Sequence, residues 1–421
     1  MLDAQPRPGD RRRVGVHGCA HARPDASKNT ASRGSSDGRR MIGLLFVLGF
    51  VSTVHQRNGQ VSFADPRFRS PGIHSHSRIH DPEETPMTPH SRTRRGLLAA
   101  GVATAACAAN APALAQARIP LRISTPAVPD DWHAKMWTVF KESLDQSPAS
   151  PFDVQIHLNA SLFKQGAEPA AMARGNLELS SISAFDIAKQ VPAFSIFTAG
   201  YVVRDPAHQQ KVFDGPIGEE LFRAVSEKMD VTVLSTAYLG TRQLNLREAR
   251  NVRTPADLKG VKLRMPGSKE WLFLGEALGA TATPLAFGEV YLGLKTGTID
   301  AQDNPLPTVR AAKFHEVTRQ LVLTGHLVDG LFIAISNRTW NALSPERRQA
   351  VKAAAQAAAR FNDENRIREE GQLVDFFRQQ GLQVMTPDVD AFRRSVQDTY
   401  ARSDYAKAWP AGLLDRINAT R

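Results

Sequence analysis

From Arg118 onward the chain alternates short apolar runs with amphipathic stretches, and that alternation restricts it to α/β architecture. Residues 119–124 read as a strand. Asp130 or Asp131 can cap a helix in which Trp132, Met136, Phe140 and Leu144 recur at four-residue spacing, leaving Lys135, Lys141 and Glu142 toward solvent. Further strands are expected at 152–158, 177–182 and 231–238, with helices near 168–174 and over 217–228. The stretch 231–238 is apolar enough for a buried central strand. Punctuation is clearest in 254–297. Thr254 caps a short helix, Pro255 takes its first position, Asp257 sets its charge against the N-terminus, and Gly260 ends it. A strand at 261–265 leads to a helix opened by Ser268, carrying Trp271, Leu274 and Leu278 on one face and stopped by Gly279. Another strand and a helix over 288–295 follow. Beyond Pro345, an Ala-rich stretch to Gln380 holds almost no breaker before Gly371, which predicts one very long helix or a kinked pair. No repeat of solenoid period is visible.

A chain of 421 residues is long enough for two compact lobes. The net charge of +11 suggests a nucleic-acid or membrane partner until its distribution is read. Residues 1–117 hold 16 Lys and Arg against 8 Asp and Glu, whereas 118–421 hold 37 against 34, so the basicity belongs mostly to the leader and no nucleic-acid partner is expected. Both cysteines, Cys19 and Cys107, also precede residue 118, which removes disulfides, thiolate metal sites and cysteine nucleophiles from the remainder.

Residues 1–86, rich in Arg, Ser, Pro, Gly and His, are expected to be disordered or never translated, because Met87 opens a self-sufficient signal. Arg92, Arg94 and Arg95 precede an apolar stretch over 96–109 and the small-residue site Ala113, Leu114, Ala115. This order over 87–117 is that of an export signal, and the adjacent Arg94 and Arg95 resemble a twin-arginine signal. A soluble periplasmic mature protein is the expectation.

The sequence holds no nucleophile elbow, Walker loop, GxGxxG or HExxH, and His133, His157, His208, His315 and His326 lack paired metal-ligand spacing, so neither metal nor cofactor is expected. What stands out is a set of polar residues at element ends. Arg264 ends the strand in "GVKLR" just before Pro266, where its planar fork would emerge at the carboxyl end of a strand and could hold a carboxylate bidentately; a surface ion pair is the plainer alternative. Asn304, in "AQDNP", offers an amide or only a turn. Arg242, in "LGTRQ", follows the strand at 231–238 and fits ligand or structure equally. Phe287 and Trp271 fit a core as well as a binding wall, and His326 and Glu289 fit structural positions.

Several ordered segments carry a resemblance. "LGTRQ" from Leu239, "DLKGVKLRMP" from Asp257, "LGATATPLAFGEVYLGLKTGTIDAQDNP" from Leu278 and "KFHEVTRQLVLTGH" from Lys313 are similar to the DctP-type substrate-binding proteins of TRAP transporters, as are "LFKQGAEP" from Leu162 and "LSPERRQAV" from Leu343. The resemblance covers nearly all of 118–390. It implies a two-lobed periplasmic-binding-protein-like fold whose chain crosses between lobes, with a long helix spanning both: lobe one at 118–238 plus 330–368, lobe two at 239–329 plus 369–421. It also implies capture of a small organic carboxylate by hinge closure and delivery to TRAP membrane subunits. Carried over residue by residue, the carboxylate clamp falls on Arg264, its companion on Asn304 and a second ligand-facing arginine on Arg242; Phe287 matches the pocket aromatic and His326 a position near the cleft.

Where sialic-acid-binding members use an acidic and a basic residue from the first lobe, this chain has Ser183 and Asp186, around Ala184 and Phe185. With Trp132 nearby and Trp271 and Phe287 opposite, the expected pocket offers one anionic anchor in an apolar wall, suited to a small monocarboxylate with an apolar or aromatic tail and poorly suited to extended sugar acids. Asp186 would alter this if it pointed inward. Two other functions fit: a periplasmic enzyme acting on an acid, with Arg264 as clamp and Glu289 or His326 as proton-transfer group, or a binding protein that presents its ligand to a sensor.

Overall fold

The computed structural model describes residues 118–149 and 151–421; the leader expectations, for 1–86 and for an export signal at 87–117, lie outside the described residues. Among the described residues nine strands form one sheet: β1 (Ile119–Ser124), β2 (Phe152–His157), β3 (Leu179–Ser183), β4 (Val231–Leu246), β5 (Lys262–Met265), β6 (Thr281–Pro284), β7 (Ala301–Pro305), β8 (Gln320–Ser336) and β9 (Gln383–Met385). Their order is β2-β1-β3-β8-β4-β7-β5-β6, with β9 beside β8. At each end three short strands run parallel, as strand–helix–strand units require. The antiparallel pair β4 and β8 joins the ends: Val231 to Tyr238 pairs with Ser336 to Gly330 beside β3, and Arg242 to Leu246 pairs with Leu327 to Gln320 beside β7.

β4 corrects the sequence reading, which ended this strand at Tyr238 and set Arg242 after it. The strand runs on to Leu246, and Arg242 lies inside it. Register shifts at Val233/Ser235, Tyr238/Gly240 and Arg242/Leu244 break the two-residue period that a strand is recognised by. At the middle shift Gly240 takes φ +127°, and a Cβ there would stand 2.4 Å from Pro305 Cβ, so only glycine fits the crossing.

The Ala-rich stretch is one helix of 35 residues, Pro345–Gln379, capped by Ser344, whose hydroxyl accepts from Arg347 N–H. Its first half packs Val351, Ala355 and Ala358 among Trp137, Phe140 and β1, and its last turns pack Leu373 and Phe377 among Phe314, Leu294 and Leu321. Between these two cores the helix is polar, because it meets the β4 bulge. Tyr238 N–H donates to Asp363 Oδ1 (2.7 Å), Asn362 Nδ2 to Tyr238 O (2.9 Å), Arg366 Nε to Leu239 O (2.7 Å) and Thr241 N–H to Glu370 Oε1 (2.8 Å). Backbone groups that the bulge removes from the ladder are thereby satisfied by side chains. The expected lobe limits, 238/239, 329/330 and 368/369, fall inside β4, inside β8 and inside this helix.

Asp131 caps the helix Trp132–Asp145 by accepting from His133 N–H. Trp132 turns out of the core toward the long helix, where its indole N–H donates to Glu369 and its ring meets Phe361 at 5.9 Å. Pro255–Leu258 forms a single 3-10 turn, shorter than a helix, held by Thr254 and Arg253 N–H donating to Asp257 Oδ2. Among the described residues no helix is long and apolar enough to cross a membrane.

Candidate functional site

The carboxyl ends of β3 and β5, the loop after β2 and the middle of β4 and β8 converge on a cavity of about 750 Å³, its solvent-open mouth included. Of the residues singled out in the sequence, Arg264, Asn304, Arg242, Phe287, Ser183, Phe185 and Trp271 all line it. His326 does not; it stands behind the lining, against the Asp303 that holds Arg242. It is fully buried, Nδ1 at 2.7 Å from Thr324 Oγ1 and Nε2 at 3.2 Å from Asp303 Oδ2, and burial holds its pKa down against the pull of Asp303. Trp132 also lies outside the cavity lining, and Glu289 stands in the outer vestibule beside Gln165 and Lys189.

The two arginines are differently engaged. Arg242 donates from Nε to Asp303 Oδ2 (2.7 Å), from Nη2 to Asp303 O (2.8 Å) and from Nη1 to Asp329 Oδ2 (3.0 Å), and its guanidinium lies 4.3 Å over the Trp271 ring. Burial alone would lower its pKa, but the two aspartates overcome that and raise it. Arg264, 1 % exposed, donates from Nε to Leu285 O (2.8 Å) and from Nη2 to Gln165 Oε1 (3.4 Å) and has no carboxylate within ion-pair distance among the described residues. Burial pushes its pKa down to about 9, with Asp303 opposing and Arg242 reinforcing, so it remains a cation at neutral pH. An unpaired buried cation is costly in an empty site and favours an incoming anion.

Asn304 gives one amide hydrogen to Gln302 Oε1 (2.6 Å), and Gln302 passes the chain to Asn245 (3.3 Å), which orients the amide with its second N–H uncommitted. Gln165, from the loop after β2, reaches across: its Oε1 accepts from Phe287 N–H (3.0 Å) as well as from Arg264. Phe185 and Trp271 meet edge to face at 5.9 Å on the same wall, and Trp271 Nε1 is buried without a partner among the described residues.

The expected apolar wall is corrected by residues that sequence reading left out. Asp131, His133, Glu168, Thr308 and Asp329 also line the cavity, and Asp186 does point inward, paired with Lys189 at 2.9 Å. Arg366 gathers one cluster, donating to Asp131, to Thr308 Oγ1 (2.7 Å) and toward His133 Nδ1 (3.3 Å). Burial and Arg366 push the His133 pKa down to about 3, so the imidazole is neutral. Burial raises Glu168 to about 7 and, against Arg242, Asp329 to about 6; it also raises Asp186 against Lys189. Many acceptors around one free cation suit a ligand with one carboxylate and several hydroxyls. Asp131 is legible only as a helix cap, Glu168 as the start of a helix, and Gln165 only as a letter of "LFKQGAEP".

The profile described as bacterial extracellular solute-binding protein, family 7 (DctP) matches residues 124–407. A TRAP periplasmic solute-binding protein of Roseobacter denitrificans, solved with bound 3-deoxy-D-manno-oct-2-ulosonic acid (KDO), is 46% identical with TM-score 0.70, covering 72% of this chain and 100% of that one. The sialic acid-binding periplasmic protein SiaP of Vibrio cholerae is 30% identical over 62% of this chain and 81% of its own length. The 2,3-diketo-L-gulonate-binding periplasmic protein YiaO of Escherichia coli is 30% identical over 65% of this chain and 83% of its own.

Proposed function

We propose that this chain, which belongs to the bacterial extracellular solute-binding protein family 7, captures a polyhydroxylated sugar acid of the ulosonate class and passes it, in the periplasm, to TRAP-type membrane subunits. The carrying observation is Arg264, the buried guanidinium left without a carboxylate in a cavity rimmed by hydroxyl acceptors. In this reading the ligand carboxylate takes the outer edge of Arg264, where two charge-assisted hydrogen bonds of roughly 1.5–3 kcal/mol each are available, and the free N–H of Asn304 reaches a second oxygen. Arg242 contributes mainly field and rigidity, since its Nε and Nη2 are committed to Asp303 and its Nη1 donates to Asp329. Phe287, Phe185 and Trp271 pack on the apolar edges of the ligand, while Ser183, Asp186 and Asp131 take hydroxyls. The bound KDO of the 46%-identical relative supports the class, and the acids lining this cavity support it over the aryl or alkyl monocarboxylate that the sequence suggested.

The lobes proposed are 118–238 plus 330–368 and 239–329 plus 369–421, hinged where β4, β8 and the long helix cross. The ligand favours closure by touching both lobes, with Gln165 and Phe287 meeting over it. The role proposed is binding without turnover.

The experiment is a thermal-shift screen of KDO, sialic acid and hexuronates against aryl and alkyl 2-oxo acids, because a ligand that binds only the folded state raises its Tm. The expected result is a rise of several degrees with one or more sugar acids. A response confined to the oxo acids would contradict the reading.

A further inference from the structure

Glu168 is 4 % exposed and lines the cavity, yet it has no cation within ion-pair distance among the described residues. Its Oε2 accepts from Gly166 N–H at 2.7 Å, while Oε1 is buried with no hydrogen-bond partner. Another carboxylate, Asp186, whose Oδ1 is taken by Lys189, disfavours its ionised form, against backbone N–H groups of Gly166, Ala167 and Glu168 itself that favour it. A Cβ at Gly166 would stand 3.4 Å from Asp186 Oδ1 and 3.7 Å from Lys189 Nζ, so the two acids share one wall while the lysine pairs with Asp186 alone.

The charge around the cavity makes this arrangement informative. Arg242, Arg264, Lys189 and Arg366 are matched in number by Asp131, Asp186, Asp303 and Asp329, and the buried Glu270, whose charge also acts on Asp186, adds a further acid. An ionised Glu168 is surplus to that balance, and an arriving ligand carboxylate adds a second surplus charge. β3, β4 and β8, packed against the helix Glu168–Ala173, bring Ser181, Arg242 and Asp329 to the cavity. Arg338, on the helix Asn337–Ala342 that packs behind, lies against Gly175. His133 is neutral. No group on any of these faces supplies the missing positive charge, and a buried carboxyl in that position takes a proton instead.

We propose that Glu168 receives the ligand as a neutral carboxylic acid, donating from Oε1 to an acceptor oxygen of the bound sugar acid, so that capture of one anion is linked to uptake of one proton from solvent. The inference rests on the sugar-acid reading above. The proton adds to the carboxylate of Glu168, and no bond of the ligand is broken. Burial and Asp186 already hold the empty protein's Glu168 near pKa 7, so a ligand anion alongside raises it further and the uptake falls in an accessible pH range.

The test is titration calorimetry of the protein with KDO at pH 8 in buffers of low and high ionisation enthalpy. The expected binding enthalpy changes with the buffer, corresponding to uptake of most of one proton, and affinity falls by up to about tenfold per pH unit above the empty-protein pKa of Glu168, levelling off once the pH exceeds the bound-state pKa. Glu168→Gln, which keeps an N–H donor in the same shape, is expected to bind within a few-fold of wild type at pH 7 while losing both the buffer dependence and the pH slope. Binding by wild type with no buffer dependence would overturn the inference alone, whatever the variant does, as would an unchanged dependence in Glu168→Gln. Failure of KDO, sialic acid and hexuronates to bind at any pH would overturn the ligand class and the inference with it.

Discussion

Gln165 Oε1 accepts a hydrogen bond from Phe287 N–H at 3.0 Å, joining residues 122 apart in sequence across the mouth of the cavity. The same oxygen faces Arg264 Nη2 at 3.4 Å, so one side chain touches the anchor and the opposite wall together. Gln165→Ala is therefore expected to weaken ligand binding about 5- to 30-fold, the loss of one or two hydrogen bonds, with little change in the Tm of the empty protein. Calorimetry and a melting curve on the same preparation separate these effects.

Arg242 is expected to behave otherwise. In sequence it fits ligand or structure equally, and the family resemblance makes it a ligand-facing arginine. The structure makes it the counter-charge of Asp303 and Asp329, both buried. Arg242→Ala leaves Asp329 without a cation and Asp303 with only the His326 imidazole, and a loss of about 3–5 kcal/mol is expected. Chemical denaturation measures it, and an unchanged midpoint would contradict the ion-pair assignment.

The β4 crossing makes a backbone prediction. Gly240→Ala places a methyl 2.4 Å from Pro305 Cβ at φ +127°, so the bulge must move. A loss of about 1–3 kcal/mol is expected. Because the crossing is also where the proposed hinge lies, the variant's ligand-induced closure, read by small-angle scattering with and without ligand, is expected to shrink.

A pH dependence follows from the long helix. Asp363 has its pKa raised to about 6 by burial, against hydrogen bonds from Asn362 and Tyr238. A carboxyl raised in the folded state gives stability that is complete below its unfolded value and is lost as pH climbs through its folded one. Asp363→Asn keeps an acceptor for Tyr238 N–H and removes that titration. The variant is therefore expected to gain stability relative to wild type between about pH 4 and pH 6.5 and to hold the gain above. Parallel melting curves across that range test it, and a constant difference would contradict the assigned shift.

Local chemistry was the legible part. The apolar run at β1, the cap at Asp131, the breaker-free stretch after Pro345 and the turn at Pro255 are set by neighbours in sequence, and the elements stand where the pattern puts them. β4 was cut short because its bulges interrupt the alternation that marks a strand. The polar cavity wall was missed for a different reason. Asp131 meets Arg366 across 235 residues, and Glu168 is informative only for the partners it lacks, which no spacing reveals. Arg264 was legible as an anchor, but its being unpaired, and Arg242's being paired, are facts of tertiary packing.

The most direct measurement is titration calorimetry of KDO into wild type and Arg264→Ala, together with the Tm of each empty protein. An unpaired buried guanidinium waiting for a carboxylate means that its removal lowers affinity by about two orders of magnitude or more while leaving the empty protein as stable as before or more so. Affinity within a few-fold of wild type, or an empty variant that loses several degrees, would contradict it.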